Sequence, residues 1–141
     1  MSKVCIVTGA SRGLGRGIAK VLAEERSATV YATARSEAAL NDLASSIKGN
    51  TGVIHPVVLD QSDDSAVEKF ITTVAEKEGR IDLLVNSAYG GLTAMTPHFG
   101  KPFWERPISV FDASIDIGLR SAFVSSAIVA PHMVSQKSGI I

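Results

Sequence analysis

Three glycines near the start of the chain form the pattern with the clearest capacity to bind a ligand. They lie in residues 8–15, Thr-Gly-Ala-Ser-Arg-Gly-Leu-Gly, between an apolar run and a segment of helical periodicity. In a parallel α/β sheet this position puts a dinucleotide pyrophosphate on the N-terminus of the first helix. A glycine-rich turn without a ligand is the alternative. The residues expected to hold the dinucleotide are Gly9, Ser11, Arg12, Gly13, Leu14 and Gly15.

The glycines have separable roles, and a second cue indicates which dinucleotide they serve. One glycine permits a tight turn, one lets the backbone approach phosphate, and one lets the helix pack on the strand. No Gly-Lys-Ser/Thr ending follows, so the segment does not match the loop that binds nucleoside triphosphates. Many dinucleotide folds carry an acidic residue about 20 positions further on, which binds the ribose 2′-hydroxyl of NAD. Here the residue twenty positions after Gly15 is Arg35.

A guanidinium at that position suits a 2′-phosphate, because charge-assisted hydrogen bonds to phosphate are strong and often bidentate. Arg12 adds a second cation on the same side of the glycine turn. Glu37 is the counter-argument, but an acidic residue there also suits the first turn of a helix. The sequence therefore predicts NADP(H) as the cofactor, with NAD(H) as the less favoured alternative.

Alternating apolar runs and helical segments must position these residues. Strands are expected at residues 4–7, 29–32, 53–59 and 81–85, and a fifth begins at 139–141. Helices are expected after the glycines, from Ser36 as N-cap, from Ser62, and from Ile108 to Ser135. Pro56 places the third strand at a sheet edge. We predict a single α/β domain over residues 1–141, a doubly wound Rossmann-type parallel sheet ordered 3-2-1-4-5 and truncated at the fifth strand.

Composition narrows the class of protein and its partners. Fourteen acidic and fourteen basic residues give zero net charge without a basic stripe, which argues against nucleic acid. The single cysteine, Cys5, suits a reducing compartment as a small buried side chain. No metal is expected, because the three histidines lack ligand spacing; they are His55, His98 and His132. We find no secretory signal and expect no membrane-spanning stretch. We therefore expect an intracellular, cytoplasmic protein, with association with the endoplasmic reticulum as the alternative.

The spacing Thr-Gly-x-x-x-Gly-x-Gly resembles the single-domain short-chain dehydrogenases/reductases, and the resemblance covers essentially the whole chain. Residues 59–60, 84–88 and 139–141 resemble the family segments that follow the third strand, follow the fourth strand and open the fifth. Three narrower stretches, residues 86–89, 103–105 and 117–120, resemble one subgroup of that family. The resemblance implies further cofactor contacts at Asp60, Gln61, Asn86, Ala88 and Tyr89, with Asp60 meeting the adenine.

Two residues depart from the family pattern. Tyr89 stands where a glycine is usual, and it either narrows the nicotinamide site, touches substrate or simply packs. Gly118 stands where many family members carry an asparagine that supports a proton-relay water. Both departures lie in the part of the site that the resemblance assigns to the reacting end of the cofactor.

The family's catalytic residues have no counterpart in these residues. The resemblance implies a serine after the fifth strand and a Tyr-x-x-x-Lys pair, yet Tyr31 and Tyr89 are followed four positions later by Arg35 and Thr93. We therefore expect the cofactor-binding portion of an NADP(H)-dependent oxidoreductase for a small carbonyl or alcohol, inactive as given and homo-oligomeric in its full-length form. A non-catalytic short isoform, which binds nucleotide or pairs with a full-length partner, is the alternative.

Overall fold

The computed structural model describes residues 2–48 and 52–141, and it contains a parallel sheet in the order β3-β2-β1-β4. The strands are β1 (Val4–Thr8), β2 (Thr29–Ala34), β3 (Val53–Val58) and β4 (Leu83–Val85). Ile140 forms a parallel bridge with Leu83 at the free side of β4. The doubly wound α/β fold and the order 3-2-1-4 are thereby confirmed, and the bridge at Ile140 lies on the side of β4 where the fifth strand is predicted.

Helices cover both faces of the sheet. Their bounds are α1 (Gly13–Arg26), α2 (Glu37–Ser45), α3 (Asp64–Glu78), α4 (Gly91–Met95), α5 (Ile108–Ser114) and α6 (Ser121–Ser135), with 3₁₀ turns at Thr96–His98 and Phe103–Glu105. Side chains alternate along β1, so Cys5 and Val7 pack with α1 and α2, while Val4 and Ile6 pack with α3 and α6. Both faces of the strand are buried, as the continuous apolar run predicts.

β3 lies at the sheet edge, as Pro56 predicts. It pairs with β2 alone, and Pro56 stands opposite Ala32 in the parallel register. Because proline has no backbone N–H, this edge position spares the sheet a missing internal hydrogen bond.

Of the two N-caps predicted from the sequence, one is confirmed and one is wrong. Ser36 is the N-cap of α2, since its hydroxyl accepts from the Ala39 backbone N–H at 3.4 Å. The prediction that Ser62 opens α3 is wrong, because Asp63 is the N-cap and accepts from the Ala66 N–H at 3.0 Å. Ser62 lies in the preceding turn, where Asp60 accepts hydrogen bonds from it.

One long helical segment runs along the sheet from Ile108 to Ser135. A π-helical turn at Ile115–Arg120 separates α5 from α6, and Ile117 departs from helical geometry there, with φ −100° and ψ 16°. Over the described residues this segment is long and apolar enough to cross a membrane by length and composition, so the expectation of no such stretch is wrong. A mostly buried core helix passes the same test, but only 17% of this window is buried. Val129 and Met133 of α6 are among the buried residues and pack against the sheet and α3.

An ionic cluster closes the end of the sheet opposite the glycine turn. Asp82 is buried and accepts hydrogen bonds from the Val4 backbone N–H and from Lys3 Nζ, both at 2.9 Å, and from Arg80. Burial raises the pKa of Asp82, but the hydrogen bonds from Arg80, Val4 and Lys3 outweigh it and hold the pKa at about 2. The cluster therefore ties the start of β1 to β4.

Cys5 is a buried apolar side chain, as its position within the first strand predicts. Burial, and then the charge of Asp82, raise the pKa of its thiol to about 11, although Lys3 lowers it. The thiol is therefore protonated at neutral pH and unsuited to act as a nucleophile.

Candidate dinucleotide-binding site

An open groove of about 860 Å³ lies at the carboxyl ends of the strands. The segments that follow β1, β2, β3 and β4 all contribute to its lining, which is where open α/β sheets bind ligands. Of the residues that the sequence predicts to hold a cofactor, all but Asn86 line this groove. The structure thus brings together residues separated by as much as 80 positions in the chain.

The glycine turn forms the floor of the groove, where its backbone lies unusually close to neighbouring backbone segments. Gly9 has φ +66°, and a Cβ there would lie 2.7 Å from the Cα of Ala88. A Cβ on Gly15 would lie 2.6 Å from the carbonyl oxygen of Gly9, so this glycine lets α1 pack against the turn. Gly13 has open space around it but a φ of +57°, which favours glycine on backbone conformation alone. The structure thus shows a separate steric or backbone requirement for glycine at each of the three positions, and the approach of the backbone to a phosphate stays a prediction.

The N-terminus of α1 has the features of an anion-binding end. Its first-turn N–H groups have no partners within the helix, its N-cap Arg12 makes no side-chain cap, and its first turn contains no acidic residue. The helix dipole is therefore not offset by a carboxylate at this end, and it favours a bound anion.

Thr8 joins the glycine turn to the segment after β4. Its hydroxyl oxygen accepts from the backbone N–H of Ser87 at 3.0 Å and of Ala88 at 3.1 Å. The same hydroxyl donates to the Val85 carbonyl at 3.4 Å. Thr8 is itself buried, so these bonds fix the two loops that line the floor.

Arg35 and Asp60 lie together on the β2–β3 side of the groove. Asp60 accepts from the Ser62 backbone N–H at 2.9 Å and from the Ser62 hydroxyl at 2.8 Å. These two bonds, together with the charge of Arg35, lower the pKa of Asp60 against a smaller opposing effect of burial. Asp60 is therefore ionised at neutral pH and held by Ser62, while Arg35 is exposed and lines the groove, where a ligand can reach its guanidinium.

Gln61 lines the groove but has a structural role for its side chain. The residue is buried, and its amide donates to the Thr33 hydroxyl at 3.4 Å. Its amide oxygen accepts from the Ser125 hydroxyl at 3.2 Å. Because both ends of the amide are used, Gln61 fastens the segment after β3 to β2 and α6, and only its remaining surface faces a ligand.

Asn86 lies outside the groove lining. Its side-chain amide donates to the Ser126 hydroxyl on α6 at 3.0 Å. The structure therefore separates Asn86 from the neighbouring residues Ala88 and Tyr89, and a cofactor contact by Asn86 stays a prediction.

The wall opposite the glycine turn was not identified from the sequence. It comes from α4 through Leu92, Thr93 and Ala94, and from the long helix through Ala113 and Ile117. The frequent glycines and prolines of residues 87–107 predict irregular structure. The five residues of α4 are too few to show a helical periodicity. Across the groove, Arg12 Nη2 lies 3.5 Å from the Thr93 hydroxyl.

Tyr89 ends this wall where α4 meets the long helix. Its hydroxyl oxygen lies 3.1 Å from Ser114 Oγ, and its ring lies beside Gly118, where a Cβ would be 3.2 Å from Tyr89 Cδ2. The two departures from the family pattern are therefore neighbours, and a side chain at Gly118 would crowd the Tyr89 ring.

These features define the class of protein: an α/β fold with a dinucleotide-type groove at the carboxyl ends of its parallel strands. The family model for short chain dehydrogenases matches residues 3–141, and the chain belongs to that family.

Curated relatives agree with this membership. The chain is 42% identical over 140 residues to dehydrogenase/reductase SDR family member 1 of Mus musculus and 41% identical to the Homo sapiens protein of that name. Each comparison covers 99% of this chain and 44% of the relative. It is 34% identical to 7alpha-hydroxysteroid dehydrogenase of Clostridium sardiniense, covering 99% of this chain and 51% of that protein. The chain thus spans about half the length of these relatives, and the subgroup resemblance is confirmed.

Solved structures show the same fold. Levodione reductase superposes with a TM-score of 0.83 at 28% identity, covering 98% of this chain and 52% of that one. A metagenomic short-chain oxidoreductase in complex with NADP superposes with a TM-score of 0.79 at 31% identity, covering 97% of this chain and 59% of that one.

Proposed function

We propose that this chain binds NADP(H) in the groove and is the cofactor-binding portion of an oxidoreductase that acts on a small carbonyl or alcohol. The observation that carries the proposal is the pair of exposed arginines, Arg12 and Arg35, that line the groove. Arg35 directly follows the end of β2, where a carboxylate would favour the 2′-hydroxyl of NAD.

The groove fits a dinucleotide on steric grounds. Gly9 and Gly15 leave the floor free of side chains at the start of α1, and a Cβ on either would overlap the neighbouring backbone. We assign the pyrophosphate to the first-turn N–H groups of α1. Arg35 and Arg12 would bind the 2′-phosphate, and Asp60 lies on the same side for the adenosine. The NADP complex of a related structure supports this assignment by analogy.

The chemistry divides between the cofactor and the protein. When bound, the nicotinamide supplies or accepts the hydride, and the protein contributes orientation and proton transfer. These 141 residues contain no tyrosine followed four positions later by lysine; in that pair the family resemblance implies the tyrosine as the acid and the lysine as the residue that lowers its pKa. We therefore propose that this chain binds the cofactor and does not by itself turn over substrate.

The outer surface of the long helix suits assembly with a second copy. Phe111, Leu119 and Phe123 are all exposed there. Large exposed apolar surfaces of this kind are typical of interaction sites. We propose a homo-oligomer for the full-length form, since the family resemblance implies pairing through this helix, and a cytoplasmic location remains part of the same proposal.

Titration of the purified chain with NADPH and NADH tests the cofactor assignment, with the fluorescence of the reduced nicotinamide as the signal. We expect tighter binding of NADPH. Arg35→Asp should remove this preference, because it replaces the cation that would bind the 2′-phosphate by an anion. The matched control is Lys69→Asp, which makes the same charge change at an exposed position of α3 outside the groove lining and should leave the preference intact. Equal affinities for the two cofactors would contradict the NADP(H) assignment. If neither cofactor binds, the assignment of the groove as a dinucleotide-binding site is wrong.

A further inference from the structure

Tyr89 brings a side chain into the groove at a position where the family pattern has glycine. β2 and β4 flank β1 on opposite sides, so Tyr89, which follows β4, lies across the glycine turn from Arg35, which follows β2. If Arg35 holds the 2′-phosphate, the nicotinamide riboside half of the dinucleotide extends toward Tyr89. The side chain is accessible there, since Tyr89 is 49% exposed.

The hydrogen bonds around Ser114 determine the direction of the Tyr89 hydroxyl. Ser114 Oγ donates to the Val110 carbonyl at 2.8 Å, which uses its single proton. The 3.1 Å contact between Tyr89 and Ser114 must then have Tyr89 as the donor. A phenol oxygen whose O–H donates one hydrogen bond can still accept another through its lone pairs. Tyr89 therefore offers the groove a hydrogen-bond acceptor.

The absence of side chains at two glycines leaves room for the ring of Tyr89 in this orientation. A Cβ on Gly91 would lie 2.5 Å from Tyr89 Cζ, and one on Gly118 would lie 3.2 Å from Tyr89 Cδ2. Gly118 belongs to the π-helical turn at Ile115–Arg120, a distortion that is frequent at functional sites. The ring is thus packed between α4 and the long helix, which reduces the entropy lost when its hydroxyl engages a ligand.

We propose that Tyr89 is a cofactor-contacting residue whose hydroxyl oxygen accepts a hydrogen bond from the nicotinamide riboside half of the bound dinucleotide. The donor is either the carboxamide N–H or a ribose O–H of that half. The inference rests on the proposed function, and it makes Tyr89 an acceptor and not the acid of the reaction.

Three ligands that differ at one end test the proposal on the Tyr89→Phe chain: NADPH, 2′-phospho-ADP-ribose and adenosine 2′,5′-bisphosphate. We expect the dissociation constant of NADPH to rise about threefold to tenfold, the loss of one neutral hydrogen bond, while that of the bisphosphate stays unchanged. An equal loss with 2′-phospho-ADP-ribose assigns the donor to the ribose. A loss confined to NADPH assigns it to the carboxamide, and both results support the proposal.

Two further variants separate this contact from a general effect on the fold. Tyr31→Phe removes the other tyrosine hydroxyl of the chain, which bonds to Glu78 and Lys77 outside the groove, and it should leave NADPH affinity unchanged. Ser114→Ala removes the acceptor of the Tyr89 proton and should weaken NADPH binding. Combined with Tyr89→Phe, it should add no further loss, because Ser114 acts on the ligand only through Tyr89.

The outcomes that overturn the inference differ from those that overturn the proposed function. If adenosine 2′,5′-bisphosphate and NADPH both bind and Tyr89→Phe leaves the NADPH constant unchanged, the role of Tyr89 is wrong while the NADP(H) assignment stands. If neither ligand binds the wild-type chain, the proposed function fails and the inference fails with it.

Discussion

The hydroxyl oxygen of Thr8 lies 3.0 Å from the backbone nitrogen of Ser87, 79 positions away in the chain. The same oxygen accepts a second backbone N–H, that of Ala88. One buried hydroxyl thus satisfies two backbone donors of the segment after β4 and holds that segment beneath the glycine turn. The floor of the groove is therefore built by side-chain chemistry as well as by the absence of side chains at the glycines.

Thr8→Val tests this connection, because it keeps the shape of the side chain and removes the hydroxyl. We expect a loss of about 1–3 kcal/mol in the free energy of unfolding, since the partly buried N–H groups of Ser87 and Ala88 both lose their acceptor. Urea unfolding measures the change. Thr73→Val is the control, because that exposed hydroxyl bonds only to the Lys69 carbonyl within α3. A Thr8→Val chain as stable as the Thr73→Val chain contradicts the role assigned to Thr8.

Gly15 and Gly17 make a matched pair within α1. Gly15→Ala places a Cβ 2.6 Å from the Gly9 carbonyl oxygen, so we expect it to lower both stability and cofactor affinity. The Cβ added by Gly17→Ala has no atom within 4 Å. This variant should therefore raise the free energy of unfolding by about 0.5–1 kcal/mol, because alanine is the better helix former. We expect thermal unfolding to give a lower melting temperature than wild type for Gly15→Ala and a higher one for Gly17→Ala. The same sign for both would show that helix propensity, and not close packing, governs Gly15.

The ionic cluster around Asp82 predicts a specific dependence of stability on pH. The folded pKa of about 2 lies below the ordinary value of 3.8, so the carboxylate stabilises the fold above pH 4 and loses that contribution as the pH falls toward 2. The shift corresponds to about 2 kcal/mol for this buried group.

We therefore expect Asp82→Asn to be clearly less stable than wild type at pH 7, with the gap narrowing between pH 4 and pH 2. Urea unfolding at a series of pH values measures it. Asp64→Asn, which removes the exposed partner of Arg120, is the control and should change stability little at any pH. A gap for Asp82→Asn that stays constant across this range would refute the assignment.

Much of the architecture was predictable because local chemistry and tertiary packing agree. The apolar run of β1, the edge position of Pro56 and the cap at Ser36 each follow from one physical preference that nothing in the fold opposes. At α3 two adjacent residues were both good caps, and Ser62 was unavailable because it bonds to Asp60. The choice between them depends on a turn whose geometry the sequence pattern does not encode.

The residues of the groove likewise fall into a predictable group and an unpredictable one. Gly9, Gly13 and Gly15 were predictable because their spacing carries a steric requirement. The wall formed by Thr93, Ile117 and their neighbours was not, since it depends on how α4 packs against the long helix. Asn86 was placed with its neighbours in sequence, but its amide turns to Ser126 on α6, a contact 40 positions away that no local pattern indicates.

We expect no dehydrogenase or reductase turnover from these 141 residues, even with NADPH bound. A positioned general acid contributes roughly 10²–10⁴-fold, and the Tyr89 O–H is directed to Ser114 Oγ in a hydrogen bond and not toward a substrate. NADPH absorbance followed against a panel of small carbonyls tests this, with a full-length member of the family as the positive control. Turnover that disappears in Tyr89→Phe would contradict both the expected inactivity and the acceptor role of Tyr89.

The ratio of the dissociation constants for NADPH and NADH, in wild type and in Arg35→Asp, tests the central claim most directly. We predict that wild type prefers NADPH and that Arg35→Asp loses this preference, with NADH binding unchanged or improved. Each lost charge-assisted hydrogen bond to the 2′-phosphate should cost about 1.5–3 kcal/mol, or roughly tenfold or more in affinity. A wild-type ratio near unity that Arg35→Asp leaves unchanged would contradict the claim that this groove selects NADP(H).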